Sequence, residues 1–332
     1  MPVLQDDILI RIILKMNFSI IIPHHNTPNL LQRLLDSIPQ RNDVEIIIVD
    51  DNSNPASVDF KNFPGLNRER VRIIFDKKGG GGGYARNIGL EHANGKWILF
   101  ADADDYFNYC INDILDEYQN CDADIIFFNA NSLDSYLYTT VNRVDHLNCY
   151  IKDYNKTQNE LLLRYKFSEP WCKMVKRKLI SENNIRFEEI SIHNDVAYSY
   201  LVGYHAKKIL VDTRALYCVT YRDNSVSKGI NLKKKLERIG VFARSSRFFK
   251  SHAINVCEKR HFKLLLELKF EDRNVYMQAF EMLQQYEYSS WEIRIGLLKQ
   301  IFFNIFDFPY KCANFIIRKL APVIIYKTKI RS

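Results

Sequence analysis

The sequence has no C-x-x-C pair, no G-K-[ST] after a glycine run, and no apolar stretch of the roughly 18 to 20 uncharged residues that a membrane-spanning helix needs. Each absence removes a class. Seven cysteines, at 110, 121, 149, 172, 218, 257 and 312, are odd in number and scattered, which excludes a disulfide framework and a zinc finger and fits a reducing, cytoplasmic compartment. The missing G-K-[ST] excludes a P-loop. Residues 1–15 (MPVLQDDILIRIILK) lack the charged, then apolar, then small order of a secretory signal. Met16 stands directly before the first apolar run, so an N-terminal extension over 1–16 is expected, with a natural start at Met16; an ordinary N-terminal helix is the alternative. There is no internal repeat. With 47% hydrophobic and 26% charged residues in 332, disorder, collagen and coiled coil are excluded as well.

The net charge of +8 resembles a nucleic-acid signal until it is located. Between Lys233 and Arg260 nine Lys/Arg face only Glu237 and Glu258, and between Phe308 and Ser332 six Lys/Arg face no acid. The rest of the chain is net acidic. A basic C-terminal third on an acidic body argues against nucleic acid and for an anionic membrane surface, with a solvated helix face as the plainer alternative. Over 297–326, Leu, Ile and Phe interleave with Lys299, Lys311, Arg318 and Lys319, as in a helix lying in a membrane interface or one packing its apolar stripe on the domain.

Four short apolar runs recur early: FSIII (18–22), EIIIV (45–49), VRIIF (71–75) and WILF (97–100), with a fifth, ADIIFFNA, at 123–130. Continuous hydrophobicity of this kind marks strands buried on both faces, and the spacing leaves room for one crossover helix each. The expected fold class is α/β, a Rossmann-like, mostly parallel sheet flanked by helices. Residues 131–155 are polar and read as a loop or irregular insertion. Helical periodicity resumes at 156–165, and 169–180 mixes aromatic, basic and apolar positions. From about 232 the pattern is helical only, with stripes such as Phe262, Leu265, Leu266, Phe270 and Ile301, Phe302, Ile305, Phe306.

Ligands of open parallel sheets bind beyond the carboxyl ends of the strands. Here those ends read Pro23-His24-His25-Asn26, Asp50-Asp51-Asn52-Ser53, Asp76-Lys77-Lys78 with five glycines, and Asp102-Ala103-Asp104-Asp105. Asp102 and Asp104 point the same way if extended, and an all-oxygen pair suits Mg²⁺ or Mn²⁺ rather than zinc. The alternative is an N-cap cluster for a helix starting near Tyr106. The Gly79–Gly83 run opens onto a helix expected at 84–93 whose amides are placed to face phosphate, with Lys77, Lys78 and Arg86 adding positive charge. Gly80-x-Gly82-x-x-Ala85, with Asp102 twenty residues beyond Gly82, also fits a dinucleotide fingerprint and hence an NAD(P)-dependent oxidoreductase. That reading leaves Asp50-Asp51 and Asp104-Asp105 without a role. His24, His25 and His193 have no metal-ligand spacing and read as surface residues at strand ends.

The ordered set IIIPHHN, IIIVDDNS and GGGGGYARNIGLEHANGKWILFADADD resembles the family 2 glycosyltransferases of GT-A fold, over roughly residues 17 to 225. The resemblance implies a GT-A domain over 17–230, with a nucleotide-sugar half (17–130) and an acceptor half (131–230), followed by a basic amphipathic helical region over 231–332. It implies donor contacts from Pro23, Asn26, Asp51, Arg86, Asn87, Asp102 and Ala103, with Asp51 on the base, and a divalent cation on Asp104 and Asp102. Pro170-Trp171-Cys172-Lys173 matches the family's Pro-Trp-x-Lys segment. His193-Asn194-Asp195 stands where the family usually carries Glu-Asp before a helix, so Asp195 is the implied catalytic base and Asn194 departs from the pattern. A helix N-cap is the alternative role for Asp195, and the core for Trp171. Trp171, Lys173, His193, Asn194 and Arg222 fall to the acceptor or phosphate region. The implied reaction is inverting transfer from a nucleoside-diphosphate sugar, UDP favoured, to a glycan or lipid-linked acceptor at the inner membrane face, in polysaccharide or lipopolysaccharide assembly.

Overall fold

The four early apolar runs form parallel strands β1 (Phe18–His24), β2 (Val44–Asp51), β3 (Val71–Asp76) and β4 (Trp97–Phe100). Their registers pair apolar residues with apolar residues, as in Ile20↔Ile46 and Ile20↔Leu99. Ile20, Ile21, Ile22, Ile48 and Val49 are fully buried because helices cover both faces. Helix α1 (Pro28–Ser37) starts with Pro28 in its first turn and buries Leu31, Leu34 and Leu35, the stripe that docks it on the sheet. Helix α2 (Gly81–His92) precedes β4 and buries mostly small residues, Gly83, Ala85 and Gly89 among them.

The computed structural model describes residues 16–222 and 231–302. The further strands are β5 (Tyr106–Phe107), β6 (Ile125–Asp134), β7 (Lys173–Lys176) and β8 (Ile209–Tyr221). Together they make one eight-stranded sheet in the order β3-β2-β1-β4-β7-β6-β8-β5. β6 pairs with β8 in parallel, while β7 runs antiparallel to both β4 and β6. The remaining helices of this part are α3 (Ile111–Tyr118), α4 (Asp145–Thr157), α5 (Leu161–Tyr165), α6 (Arg177–Glu182) and α7 (Asp195–His205).

Three expectations need correction. Residues 131–155 are no loop: β6 continues to Asp134 along β8, with register shifts around Asn129, and α4 begins at Asp145. Its inner stripe is Leu147 and Ile151, fully buried, with Tyr150 and Tyr154 partly buried against the core, at the i, i+3, i+4, i+7 spacing of a helix but set among polar residues that give the segment a loop-like composition. The segment 169–180 contributes β7 and α6, and its strand is antiparallel. Finally, no helix begins at Tyr106, which opens the short strand β5, so the 102–105 carboxylates do not cap one.

The chain divides into the units Met1–Gly229 and Ile230–Ser332. In the second, α8 (Leu232–Ser251), α9 (Arg260–Glu271) and α10 (Arg273–Gln285) pack through Phe242, Phe249, Leu265, Leu268 and Leu283, and helical geometry resumes over 290–302. Asn231 and Asp272 cap α8 and α10 by accepting backbone N–H bonds. Phe270 is 80% exposed, against its expected place in the buried stripe. The expected stripe members Ile305 and Phe306, most of 297–326, and the extension over 1–15 lie outside the described residues.

Gly83 sits where a Cβ would overlap the Glu188 carbonyl oxygen and the Asn194 side chain. Gly83→Ala is therefore expected to cost about 1–3 kcal/mol in urea unfolding, whereas an Ala at Gly81, where a Cβ meets nothing, carries only the strain of its φ of 86°.

Candidate active site

From β1 the chain steps outward through β2 to β3, then returns across β1 to β4. The carboxyl ends of β1 and β4 therefore flank the switch point of the sheet, where a crevice opens. A cleft of ≈ 340 Å³ lies there, with Pro23, Asp51, Arg86, Asp102, Ala103, Asp104, Trp171, Asn194 and Arg222 in its walls. Asn26, Asn87, Lys173, His193 and Asp195 are not among its lining residues.

Each strand end is held by a defined set of bonds. At β1, His24 is buried rather than at the surface, and the Thr27 N–H donates to its Nε2 at 3.1 Å, so Nδ1 carries the proton and donates to Asp50 at 2.7 Å. Asp50 also accepts from the Ser53 N–H and hydroxyl, leaving it a structural clamp between β1 and β2. Asn26, in the left-handed region at φ 57°, accepts from Asn54 N–H and donates its own N–H to Ser53 Oγ. At β2, the Asp51 carboxylate accepts from the N–H groups of Gly80 and Gly81 at 2.8 and 2.7 Å. The helix begins at Gly81 instead of residue 84, and two amides of the glycine run, those of Gly80 and Gly81, face Asp51. Lys78 pairs with Glu189, and neither Lys77 nor Lys78 lines the cleft.

The end of β4 carries the densest charge. Arg86 Nη2 donates to Asp102 at 2.5 Å, and Arg222 Nη2 to Asp104 at 2.5 Å. The two carboxylate side chains remain 33% and 30% exposed to the cleft. Asp105 also adjoins the cleft but is buried, accepting from the Thr220 N–H at 2.7 Å. Burial, then the charges of Asp104 and Asp102, push its pKa well above the usual carboxylate value, toward the neutral acid. Backbone groups are also tied down: Asp102 N–H donates to Tyr217 Oη, and Arg33 and Thr220 donate to the Asp104 carbonyl.

Asn87 spends both ends of its amide on the backbone of Phe187, so it anchors the 187–194 loop instead of facing a ligand. Arg86 donates through its other nitrogen to Asn194 at 3.0 Å. Asp195, the first residue of α7, stands one position beyond Asn194. Its pKa is raised to about 6 by burial and by the Glu169 carboxylate, against the pull of Arg86. A left-handed residue at Cys172 (φ 59°) separates Trp171, in the cleft wall and stacked on Tyr217, from Lys173, which is buried. Lys173 donates to the Phe167 carbonyl and to Ser199 Oγ on α7, and burial lowers its pKa to about 8. It therefore supports the α7 helix from behind.

Arg143, which lines the cleft, and Arg33, Tyr217, Thr220 and Glu169 escaped the sequence reading. Thr220 was reachable, because it shares a strand face with the neighbouring Arg222. Arg33, Arg143 and Glu169 carry no local signal.

The family model described as Glycosyl transferase family 2 matches residues 19–183. The chain belongs to that family. This glycosyltransferase is 25% identical over 226 residues to glycosyltransferase GlyG of Streptococcus pneumoniae, covering 63% of this chain and 72% of that one. Over 96 residues it is 40% identical to the poly(ribitol-phosphate) beta-glucosyltransferase of Bacillus spizizenii, covering 27% of this chain and 15% of the relative. Among solved structures, TarS 1-349 of Staphylococcus aureus in complex with UDP-GlcNAc aligns with a TM-score of 0.60 at 18% identity, over 82% of this chain and 81% of that one. The shared architecture is the GT-A glycosyltransferase fold.

Because Asp105 is already held toward its neutral form, Asp105→Asn is expected to leave stability nearly unchanged. Asp105→Ala, which strands the buried Thr220 N–H, is expected to cost about 1–3 kcal/mol in the same urea titration.

Proposed function

We propose that this enzyme is an inverting glycosyltransferase that moves a sugar from a nucleoside-diphosphate sugar, UDP-linked by preference, to a hydroxyl of a glycan or lipid-linked acceptor. The observation that carries this reading is the convergence of Asp51, Arg86, Asp102, Asp104 and Arg222 on one cleft at the switch point. Asp51 and Pro23 would flank the base, with Asp102 and Ala103 at the ribose. Asn26 and Asn87 act one step back, by shaping the loops that carry those groups.

Two partly exposed carboxylates on one wall fit a hard divalent cation, Mn²⁺ or Mg²⁺, completed by diphosphate oxygens and water. No group of three His, Cys, Asp or Glu able to hold a metal exists among the described residues. Asp104 and Asp102 would hold it, and its charge would stabilise the departing diphosphate. Arg86 and Arg222 supply positive charge at the same place from the protein.

In the reaction the acceptor oxygen bonds to the anomeric carbon as the bond from that carbon to the diphosphate oxygen breaks. The electron pair leaves with the nucleoside diphosphate. The acceptor proton passes to Asp195, whose raised pKa makes it a stronger base than an ordinary aspartate while leaving it ionised at neutral pH. Trp171 and Asn194 would bound the side from which an acceptor approaches, with His193 next to Asn194 in the chain but outside the cleft lining. The basic stretch 233–260 supports a peripheral position on the cytoplasmic face of the membrane, where lipid-linked acceptors are found; no helix among the described residues is long and apolar enough to cross a membrane.

Asp195→Asn is expected to lower transfer by about 10²–10⁴-fold while donor affinity, measured by calorimetry, stays within about threefold. Loss of donor affinity instead would move Asp195 out of the base role. In the unmodified enzyme, activity should fall as pH drops through the Asp195 value of about 6. Stability moves the other way: the folded state binds this proton more tightly than the unfolded state, so the Asp195 term becomes more favourable as pH falls from about 6 toward 3.8.

A further inference from the structure

The helical unit contains a cleft of ≈ 850 Å³, larger than the one at the switch point. Its walls are mainly apolar, formed by Ile254, Val256, Phe262, Tyr288 and Ile295, and its rim carries Arg247, Lys250, Lys259 and Lys299 against Glu258 and Glu292. The two acids are already satisfied, Glu292 by Arg247 and Lys250 at 3.2 Å each and Glu258 by Arg260. Lys259 and Lys299 have no ion-pair partner among the described residues. A mainly apolar cavity whose lining includes uncommitted cations has the chemistry for an anionic amphiphile.

The helix over 290–302 that forms one wall also faces solvent with Trp291, Leu298 and Phe302, exposed by 70%, 54% and 58%. Spacings of seven and four residues put all three on one helix face. Trp97 and Trp171, by contrast, are 0% and 8% exposed. Arg294, one turn from Trp291, is exposed and unpaired among the described residues. An aromatic and aliphatic face edged by long cationic side chains is what the boundary between headgroups and acyl chains accommodates. Over 231–302, fourteen Lys/Arg stand against eight Asp/Glu, so the whole unit is complementary to an anionic surface.

We propose that the helical unit docks on an anionic lipid bilayer through Trp291, Leu298 and Phe302, and that the adjoining cleft takes the acyl chain of one anionic lipid with Lys259 and Lys299 at its headgroup. This builds on the membrane position proposed above and is independent of the sugar transfer itself.

The test uses the full chain with vesicles of phosphatidylcholine alone and of phosphatidylcholine mixed with phosphatidylglycerol. Trp291 emission should shift to the blue with the mixed vesicles only, and the shift should vanish in Trp291→Tyr. The double substitution Leu298→Asp, Phe302→Asp should lower vesicle affinity at least about tenfold. Lys259→Glu with Lys299→Glu should abolish the preference for phosphatidylglycerol. Native mass spectrometry of protein repurified from the vesicles should show one retained phosphatidylglycerol, which inorganic phosphate fails to displace. A missing blue shift, equal binding to neutral vesicles, or no retained lipid would each overturn the proposal. UDP affinity, measured on the same variants, should be unchanged; its absence from every variant and from the unmodified chain would instead count against the donor reading.

Discussion

Three carboxylates in four residues at the end of β4 impose the constraint around which the first unit is built. At such spacing full ionisation is costly, and the protein answers each carboxyl differently. Asp105 is buried beside the cleft and held toward its neutral form while it accepts from the Thr220 N–H. Asp102 and Asp104 stay at the cleft, each with one guanidinium. Those arginines come from distant places, Arg86 from α2 and Arg222 from just beyond β8, so the charge cluster ties the parallel half of the sheet to its last long strand.

The same pairs connect the donor wall to the loop before α7. Arg86 bridges Asp102 and Asn194, and Gly83 and Asn87 bring α2 tightly against 187–194. Charge added to or removed from the wall will therefore be felt at Asp195, one residue further on. Behind α7, buried Lys173 bonds Ser199 and faces the fields of Glu169 and Asp195. In the proposed reaction this coupling is useful, because the group that takes a proton and the groups that meet the diphosphate share one set of bonds.

Much of this was legible in the residues. Continuous runs such as EIIIV announce doubly covered strands, and the polar ends of β1, β2 and β4 do meet at one crevice. What the sequence hid is the sense of direction within short segments. Pro170-Trp171-Cys172-Lys173 places Trp171 in the cleft and Lys173 in the core because Cys172 adopts a left-handed conformation that no local pattern advertises. Asn87 looks like a ligand-facing amide, yet long-range contact with Phe187 consumes it. The glycine run looks like a phosphate cradle, yet Asp51, thirty residues earlier, occupies two of its amides. Helix α4 is harder to read for a simpler reason: half of its core-facing stripe is Tyr150 and Tyr154, amphipathic residues that a polar, Asn- and Asp-rich stretch disguises.

The central claim, that the cleft receives a nucleoside diphosphate with a divalent cation on Asp102 and Asp104, is tested most directly by thermal stability against UDP, GDP, CMP, NAD and NADP, each with and without Mn²⁺. The account predicts stabilisation by one nucleoside diphosphate, dependent on Mn²⁺ and lost in Asp104→Ala. Stabilisation by NAD or NADP without metal, and by no nucleoside diphosphate, would contradict it.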